Sequence, residues 1–527
     1  MHTCFSVRRL AAFLFLVLAP IWVKAVTTQT LSNPVPAAAR APAVLSPVAA
    51  DKILRISIGL PLRNQEALNQ LLTDLYQPEN PKFRQFLEPE QFAEQFGPTE
   101  ADYAAVVDFV RTNGFIGITM HPNRMLVDAT ASVADIEKAF HVKMVWHKHP
   151  KENRDFYAPD VNPSLLLAAP VLSISGLDDY VVPRPANLIL RDDQTNSNPI
   201  PLTGSGPNGN YRGSDFRNAY APVVSLTGTN QYVGLLQFDG YNRSDIIAYE
   251  VQAGLPNVPL INVLLDGISG AAGPDNIEVA LDIEMSIAMA PGLAGVVIYE
   301  GQIGDSILNR MATDNVAKQL SASWTFGINA TTTQIYQQFA AQGQSYFNAS
   351  GDADAYSGPI STPADHPWVT SVGGTTLSMN GTGASYASEV VWNRGGNVGT
   401  GGGISTTYAI PSWQQTTSMA ANQGSTTMRN IPDVAMVAEG VSVIYNGGTQ
   451  SAVGGTSVAS PLWAGFMALV NEQAARRGKP AVGFLNAVVY PIGNSGNYNS
   501  AFHDTTSGNN FNSSSPSLFS AVAGYDL

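Results

Sequence analysis

The sequence predicts an α/β protein: a small α+β domain followed by a larger domain built on a doubly wound parallel sheet. Three observations carry this expectation. A chain of 527 residues, 44% of them hydrophobic, exceeds what one ordinary core organises. Periodicity is lost over residues 183–212, where Pro, Asn, Asp, Gly and Ser accumulate. Beyond that break, short apolar runs ending in small or polar residues alternate with helical segments, which is the pattern of strands covered on both faces.

Taken in order, residues 1–25 combine Arg8 and Arg9 with a short apolar run and small residues around Ala25, and read as a secretory signal. Residues 26–50, rich in Ala, Pro, Thr and Ser, read as a flexible linker. Residues 51–182 form the first domain. "ILRISIGLPL" alternates as a strand, "NQEALNQLLTDLYQ" and "TEADYAAVVDFVRTNG" have helical spacing, "GITMHPN" and "RMLVDAT" read as a strand pair, and "SVADIEKAFH" as a helix. Residues 183–212 read as an exposed linker open to proteolytic cleavage. Residues 213–527 form the second domain. Its strands are "QYVGLLQFDG", "PLINVLLDG", "AGVVIYEG" and "QLSASWTF", with helices over residues 245–253 and 305–319 between them. Sites in such sheets form at the carboxyl ends of the strands.

Acidic residues outnumber basic ones 41 to 28, and loss of the signal would remove only basic residues. This argues against nucleic acid or an anionic membrane as partner. The single cysteine, Cys4, lies in the signal, which excludes disulfides, thiol catalysis and Cys-ligated zinc in the mature chain.

"SAVGGTSVASPLWAG" presents Ser457 where a strand gives way to a helix, a setting for a nucleophile that needs a base. Of seven histidines, only His366 and His503 fall in the large domain, and neither has a context that aims it at a serine. The better base lies in "DNIEVALDIEMSIAMAPG". That helix is so apolar that it should be buried, and Glu278 and Asp282, four residues apart, share one of its faces. Buried together, the two carboxyls would retain a proton between them. Spacing alone leaves open that both face solvent. Asp352, in "YFNASGDADAYSG", stands at the end of an apolar run. It is either a turn residue or a protonated acid able to donate to an oxyanion.

These blocks, with "FLEPEQFAEQFGPTEADYAAVVDFVRTNGF", "YRGSDFRNAYAP", "SASW", "SGD", "VVWNRGG", "GTGGGIS" and "IPDVAMVA" in the same order, resemble the sedolisins, the serine-carboxyl peptidases of the pro-kumamolisin type. The resemblance implies a subtilisin-like catalytic domain after an α+β, ferredoxin-like activation prodomain. It implies Ser457 as nucleophile, Glu278 as its base, Asp282 hydrogen-bonded to Glu278, and Asp352 with the Ser457 N–H as the oxyanion hole. It places Ser323, Trp324 and the glycine loop around Gly401 and Gly402 along the substrate cleft. It implies one structural Ca2+ held by Asp504, Asp526 and the carbonyls of Thr505, Val522 and Gly524, where the family has glycine at the position of Val522. The implied protein is a secreted, monomeric, acid-acting endopeptidase made as an autoactivating zymogen. It would cut polypeptides, be inhibited by its own prodomain, and have no nucleic-acid partner and no membrane association after signal removal. A tripeptidyl-peptidase, an inactive binding protein on the same fold, and a His-dependent subtilisin are the rival readings.

Overall fold

The computed structural model describes residues 28–31, 35–40, 44–186, 188–190 and 202–526. The expected signal lies outside them. In the first domain, strands Ile53–Gly59, Ile116–Met120, Leu126–Ser132 and Ser173–Ser175 form one antiparallel sheet. Numbered along the chain, their spatial order is 2-3-1-4. With helices Glu100–Thr112 and Val133–Phe140 this is the βαββαβ arrangement of a ferredoxin-like fold. Both helices start on a hydroxyl cap: the Thr99 and Ser132 side chains accept from the N–H groups of Asp102 and Asp135. Ile56, Ile58, Val106, Val110, Val127, Ile136 and Phe140 make the core between sheet and helices.

The expected flexible linker before this domain is corrected. Thr28–Thr30 pairs with Ser164–Leu166, and Val44–Pro47 pairs with Met144–Lys148 in a three-stranded sheet completed by Asp155–Pro159. Low-complexity composition hid this because the hydrogen bonds come from strands a hundred residues away, which no local pattern reports.

The second domain is built on strands 260–264, 295–300, 232–237, 319–322, 345–349 and 370–380, adjacent in that spatial order and all parallel. Strand Ser385–Val391 closes the edge in the antiparallel sense. Helices Asn276–Met289 and Thr456–Arg476 pack together on one face, and Gly304–Asp314 with Ala330–Ala341 on the other. A side chain at Gly465 would collide with the Met289 Cβ at 2.9 Å, so the glycine lets the first two helices approach closely. The first domain rests on the second pair: Leu68, Leu72, Phe92 and Met125 belong to the same continuous core as the large domain. No helix among the described residues is long and apolar enough to cross a membrane.

Candidate active site

Glu278 and Asp282 sit one turn apart on helix Asn276–Met289, and both are fully buried. The apolar residues around the helix circumference, Val279, Leu281, Ile283, Met285 and Ile287, all lie in the core and carry the two acids in with them. Burial pushes Glu278 well above the ordinary carboxyl range, and the neighbouring charges of Asp282, Asp352 and Asp275 add to the effect. Burial also raises Asp282. The couple therefore holds a proton where free carboxyls would be ionised.

Ser457 occupies the first turn of helix Thr456–Arg476, at the positive end of its dipole. Its hydroxyl reaches Glu278 closely enough to pull the titration of that carboxyl down. The contact falls short of a well-formed hydrogen bond: Ser457 Oγ and both Glu278 carboxyl oxygens are buried and otherwise unpartnered. Catalytic hydrogen bonds are commonly long until substrate arrives.

Asp282 is held by two donors from outside its own helix. Asp282 Oδ1 accepts from Ser323 Oγ at 2.6 Å, and Asp282 Oδ2 accepts from Gln237 Nε2 at 2.7 Å. Gln237 in turn accepts from the Trp324 indole N–H at 2.7 Å. Ser323 and Trp324 thus orient Asp282 from the ends of neighbouring strands. Gln237 was missed in the sequence because a glutamine inside an apolar strand carries no pattern of its own. Its position at the carboxyl end of strand Tyr232–Gln237 was the available signal.

Asp352 lies beside this couple, 2% exposed. Its Oδ1 accepts from the Thr456 N–H and from the Thr456 hydroxyl, both at 2.7 Å, while Oδ2 has no partner. Burial raises its pKa to about 7. Neither histidine of the large domain serves this site. His366 is buried against Tyr336 and Tyr408 with its ring nitrogens on Thr333 Oγ1 and the Trp368 N–H, and burial lowers its pKa to about 3. His503 stacks on Tyr386.

The glycine run is corrected as a free substrate edge. Residues 399–405 open a strand, Gly399–Ala409, that pairs with Ala353–Tyr356, and Gly401 and Gly402 are buried. The Gly401 N–H donates to the Gly351 carbonyl at 2.6 Å, so the run supports the Asp352 loop from behind. Two other edges are occupied by the segment after the first domain. Arg184–Pro185 pairs antiparallel with Trp324–Thr325, and the Ala186 N–H donates to the Ser323 carbonyl at 3.0 Å. Ile189–Leu190 pairs antiparallel with Val453–Gly454. Within the stretch expected as an exposed linker, residues 184–186 and 189–190 are therefore held on strand edges beside the helix that carries Ser457.

At the far end of the domain, Asp504 accepts from Tyr498 OH at 2.8 Å and from the Gly524 N–H at 3.2 Å. Asp526 accepts from the Val522 N–H at 2.8 Å. Burial and the charge of Asp504 raise the Asp526 pKa to about 7. The two carboxylates and the Gly524 carbonyl, which accepts from Tyr498 OH at 3.1 Å, are hard oxygen donors. Thr505 follows Asp504 directly. No group of three or more His, Cys, Asp or Glu suited to a metal exists among the described residues.

Comparison with known proteins bears on all of this. Residues 43–180 match the family model described as the Pro-kumamolisin activation domain. The chain is 31% identical to xanthomonalisin of Xanthomonas sp. (strain T-22), over 92% of this chain and 65% of that protein's length. It is 31% identical to sedolisin of Pseudomonas sp. (strain 101), over 92% of this chain and 86% of that one. Among solved structures, Pseudomonas sedolisin, a serine-carboxyl proteinase complexed with two molecules of pseudo-iodotyrostatin, aligns with a TM-score of 0.51 and 26% identity. That alignment covers 57% of this chain and 89% of that one. The likeness to sedolisin, spanning both domains and most of each protein, shows that the chain belongs to the sedolisin family of serine-carboxyl peptidases.

Proposed function

We propose that the protein is a secreted serine-carboxyl endopeptidase, made as a zymogen and active in acid. The observation that carries this reading is the buried meeting of Ser457, the Glu278–Asp282 couple and Asp352 beside an extended peptide segment. In the reaction, the couple holds one proton at rest and accepts a second from Ser457 through Glu278. The Ser457 oxygen attacks the scissile carbonyl, and Asp352 Oδ2 and the Ser457 N–H stabilise the oxyanion. Glu278 then protonates the leaving amine, and water repeats the steps on the acyl-enzyme. A long unstructured peptide incubated with the activated enzyme is expected to show internal cuts. Release of tripeptides alone would establish the tripeptidyl-peptidase reading, favoured by relatives such as tripeptidyl-peptidase sed4 of Aspergillus fumigatus. No cleavage by the activated chain would favour the inactive binding protein.

The segment 184–190 supports self-processing. Ala186 lies on the Ser323 edge and Leu188 against Gly455, two residues before Ser457. Cleavage of the zymogen is expected to yield a new amino terminus at residue 187 or 188, read by amino-terminal sequencing. The Ser457→Ala chain is expected to remain intact under the same conditions.

The acids that hold the first domain respond to acidification in both senses. Burial pushes Asp128 up, but the hydrogen bond and charge of His121 and the Ser57 and Ser306 donors outweigh it and hold it below its ordinary value. Burial likewise pushes Glu152 up, but its pairs with Arg154 and with Arg184 of the cleft segment together outweigh it and leave it lowered. Such contacts stabilise above the unfolded pKa and are lost as pH falls through the folded one, below about pH 4. Asp305 and Asp266, raised by burial at the same interface, act in the opposite sense.

A Ca2+ ion on Asp504, Asp526 and the Thr505, Val522 and Gly524 carbonyls would tie the final segment to the domain. Saturating calcium at about 100 times its Kd would add about 2.7 kcal/mol. Adding EDTA to the Ser457→Ala chain is expected to lower its Tm by several degrees, and Asp526→Ala to abolish that response.

A further inference from the structure

Asp352 can aid the reaction only if its proton sits on the oxygen that faces the substrate. Its two oxygens are not equivalent. Oδ1 accepts two hydrogen bonds, from the Thr456 N–H and the Thr456 hydroxyl, and a carboxyl oxygen has only two lone pairs. Oδ2 is unpartnered and looks toward Gly455. A Cβ at Gly455 would lie 2.8 Å from Oδ2 and 3.3 Å from the Leu188 side chain of the cleft segment, which marks this as the peptide side. The Thr456 hydroxyl is itself held: its oxygen accepts the Gly351 N–H at 3.1 Å, which directs its hydrogen at Asp352. Thr456 is fully buried, so no water replaces it.

We propose that Thr456 is a positioning residue: by occupying Oδ1 through both its backbone and its hydroxyl, it confines the Asp352 proton to Oδ2, where it meets the oxyanion. With the proton on Oδ1, a bare lone pair would face the developing negative charge. No proton is transferred in this step. The O–H bond stays on Oδ2 and donates a hydrogen bond that strengthens as the carbonyl oxygen gains charge. The inference rests on Asp352 serving as the oxyanion donor.

The test compares Thr456→Val, of nearly equal volume and without the hydroxyl, with Thr456→Ser, which keeps it. In the activated enzyme, Thr456→Val is expected to lower kcat by about 10- to 100-fold with KM nearly unchanged, since the lost interaction exists only in the transition state. It is also expected to move the alkaline limb of the kcat profile to higher pH, because the hydroxyl it removes favours ionised Asp352. Thr456→Ser is expected to restore both. A peptide aldehyde, whose adduct places an oxyanion in the site, is expected to weaken in parallel with kcat. If Thr456→Val fails to fold, Thr456→Ala reports on the same hydroxyl, with Tm as the control. Equal behaviour of the valine and serine variants, or lost kcat with an unmoved pH limb, would overturn the assignment. Asp352→Ala, which removes the donor, separates the two levels. A fully active Asp352→Ala enzyme refutes the oxyanion role itself, whereas an inactive one beside a normal Thr456→Val refutes only the positioning role.

Discussion

Ser457→Ala and Glu278→Gln are each expected to lower kcat/KM by about 10,000-fold or more, because members of a catalytic unit fail together. Both positions are buried, and both substitutions keep the volume within an atom or two, so the fold should persist. The glutamine variant is the sharper of the two. It preserves shape and hydrogen-bonding capacity at Glu278 but removes the site that accepts the serine proton. Among the described residues of the large domain no imidazole offers a detour, since His366 is engaged with Thr333 and Trp368 and His503 stacks on Tyr386. The measurement is kcat/KM on a quenched peptide, beside retention of the full-length band on acidification. A Glu278→Gln enzyme with more than about a tenth of parental activity would sink the carboxyl-couple mechanism, since one lost proton acceptor should cost far more than tenfold.

The second large effect is on pH dependence. Asp352 is raised by burial from 3.8 to about 7, and Glu278, Asp282 and Glu284 are raised for the same reason. A carboxyl whose folded pKa lies above its unfolded value favours the fold while protonated. That contribution is fully present below the unfolded pKa and is lost as pH rises through the folded one. For Asp352 the window runs from about 4 to about 7. The Ser457→Ala chain, which cannot digest itself, is therefore expected to have a higher Tm at about pH 5 than at about pH 8. Asp352→Asn in that background should narrow the gap by stabilising the chain at the higher pH. Activity should fall over the same rise, as Asp352 loses the proton it donates. A Tm that stays flat or climbs between the two pH values would contradict the burial of these acids. The trade is a common one: groups arranged for chemistry reduce stability where they are forced to ionise.

Much of the site could be read from residue order. The period of an α-helix places Glu278 and Asp282 on one face, and the unbroken apolar surround of Val279, Leu281 and Ile283 predicts their burial. Gly454 and Gly455 before Thr456 and Ser457 announce a tight strand-to-helix passage. These are local facts, set by spacing along one element. The partners of Asp282 were less legible. Ser323 and Gln237 reach it from the ends of two other strands. The glycine run 399–405 was misread because glycine permits either an exposed edge or a close backbone contact, and the Ala353–Tyr356 strand supplied the contact.

By itself, then, the sequence determined the two-domain α/β plan, the acid pair on a buried helix and the serine at a helix start. Only the tertiary structure decided which oxygen of Asp352 is free, which edges hold the 184–190 segment, and that residues 28–30 and 44–47 are strands. The division has one physical cause. Helical periodicity and burial are written in neighbouring residues, whereas strand pairing and side-chain hydrogen bonds join residues far apart in the chain, and their geometry exists only once the whole fold has closed.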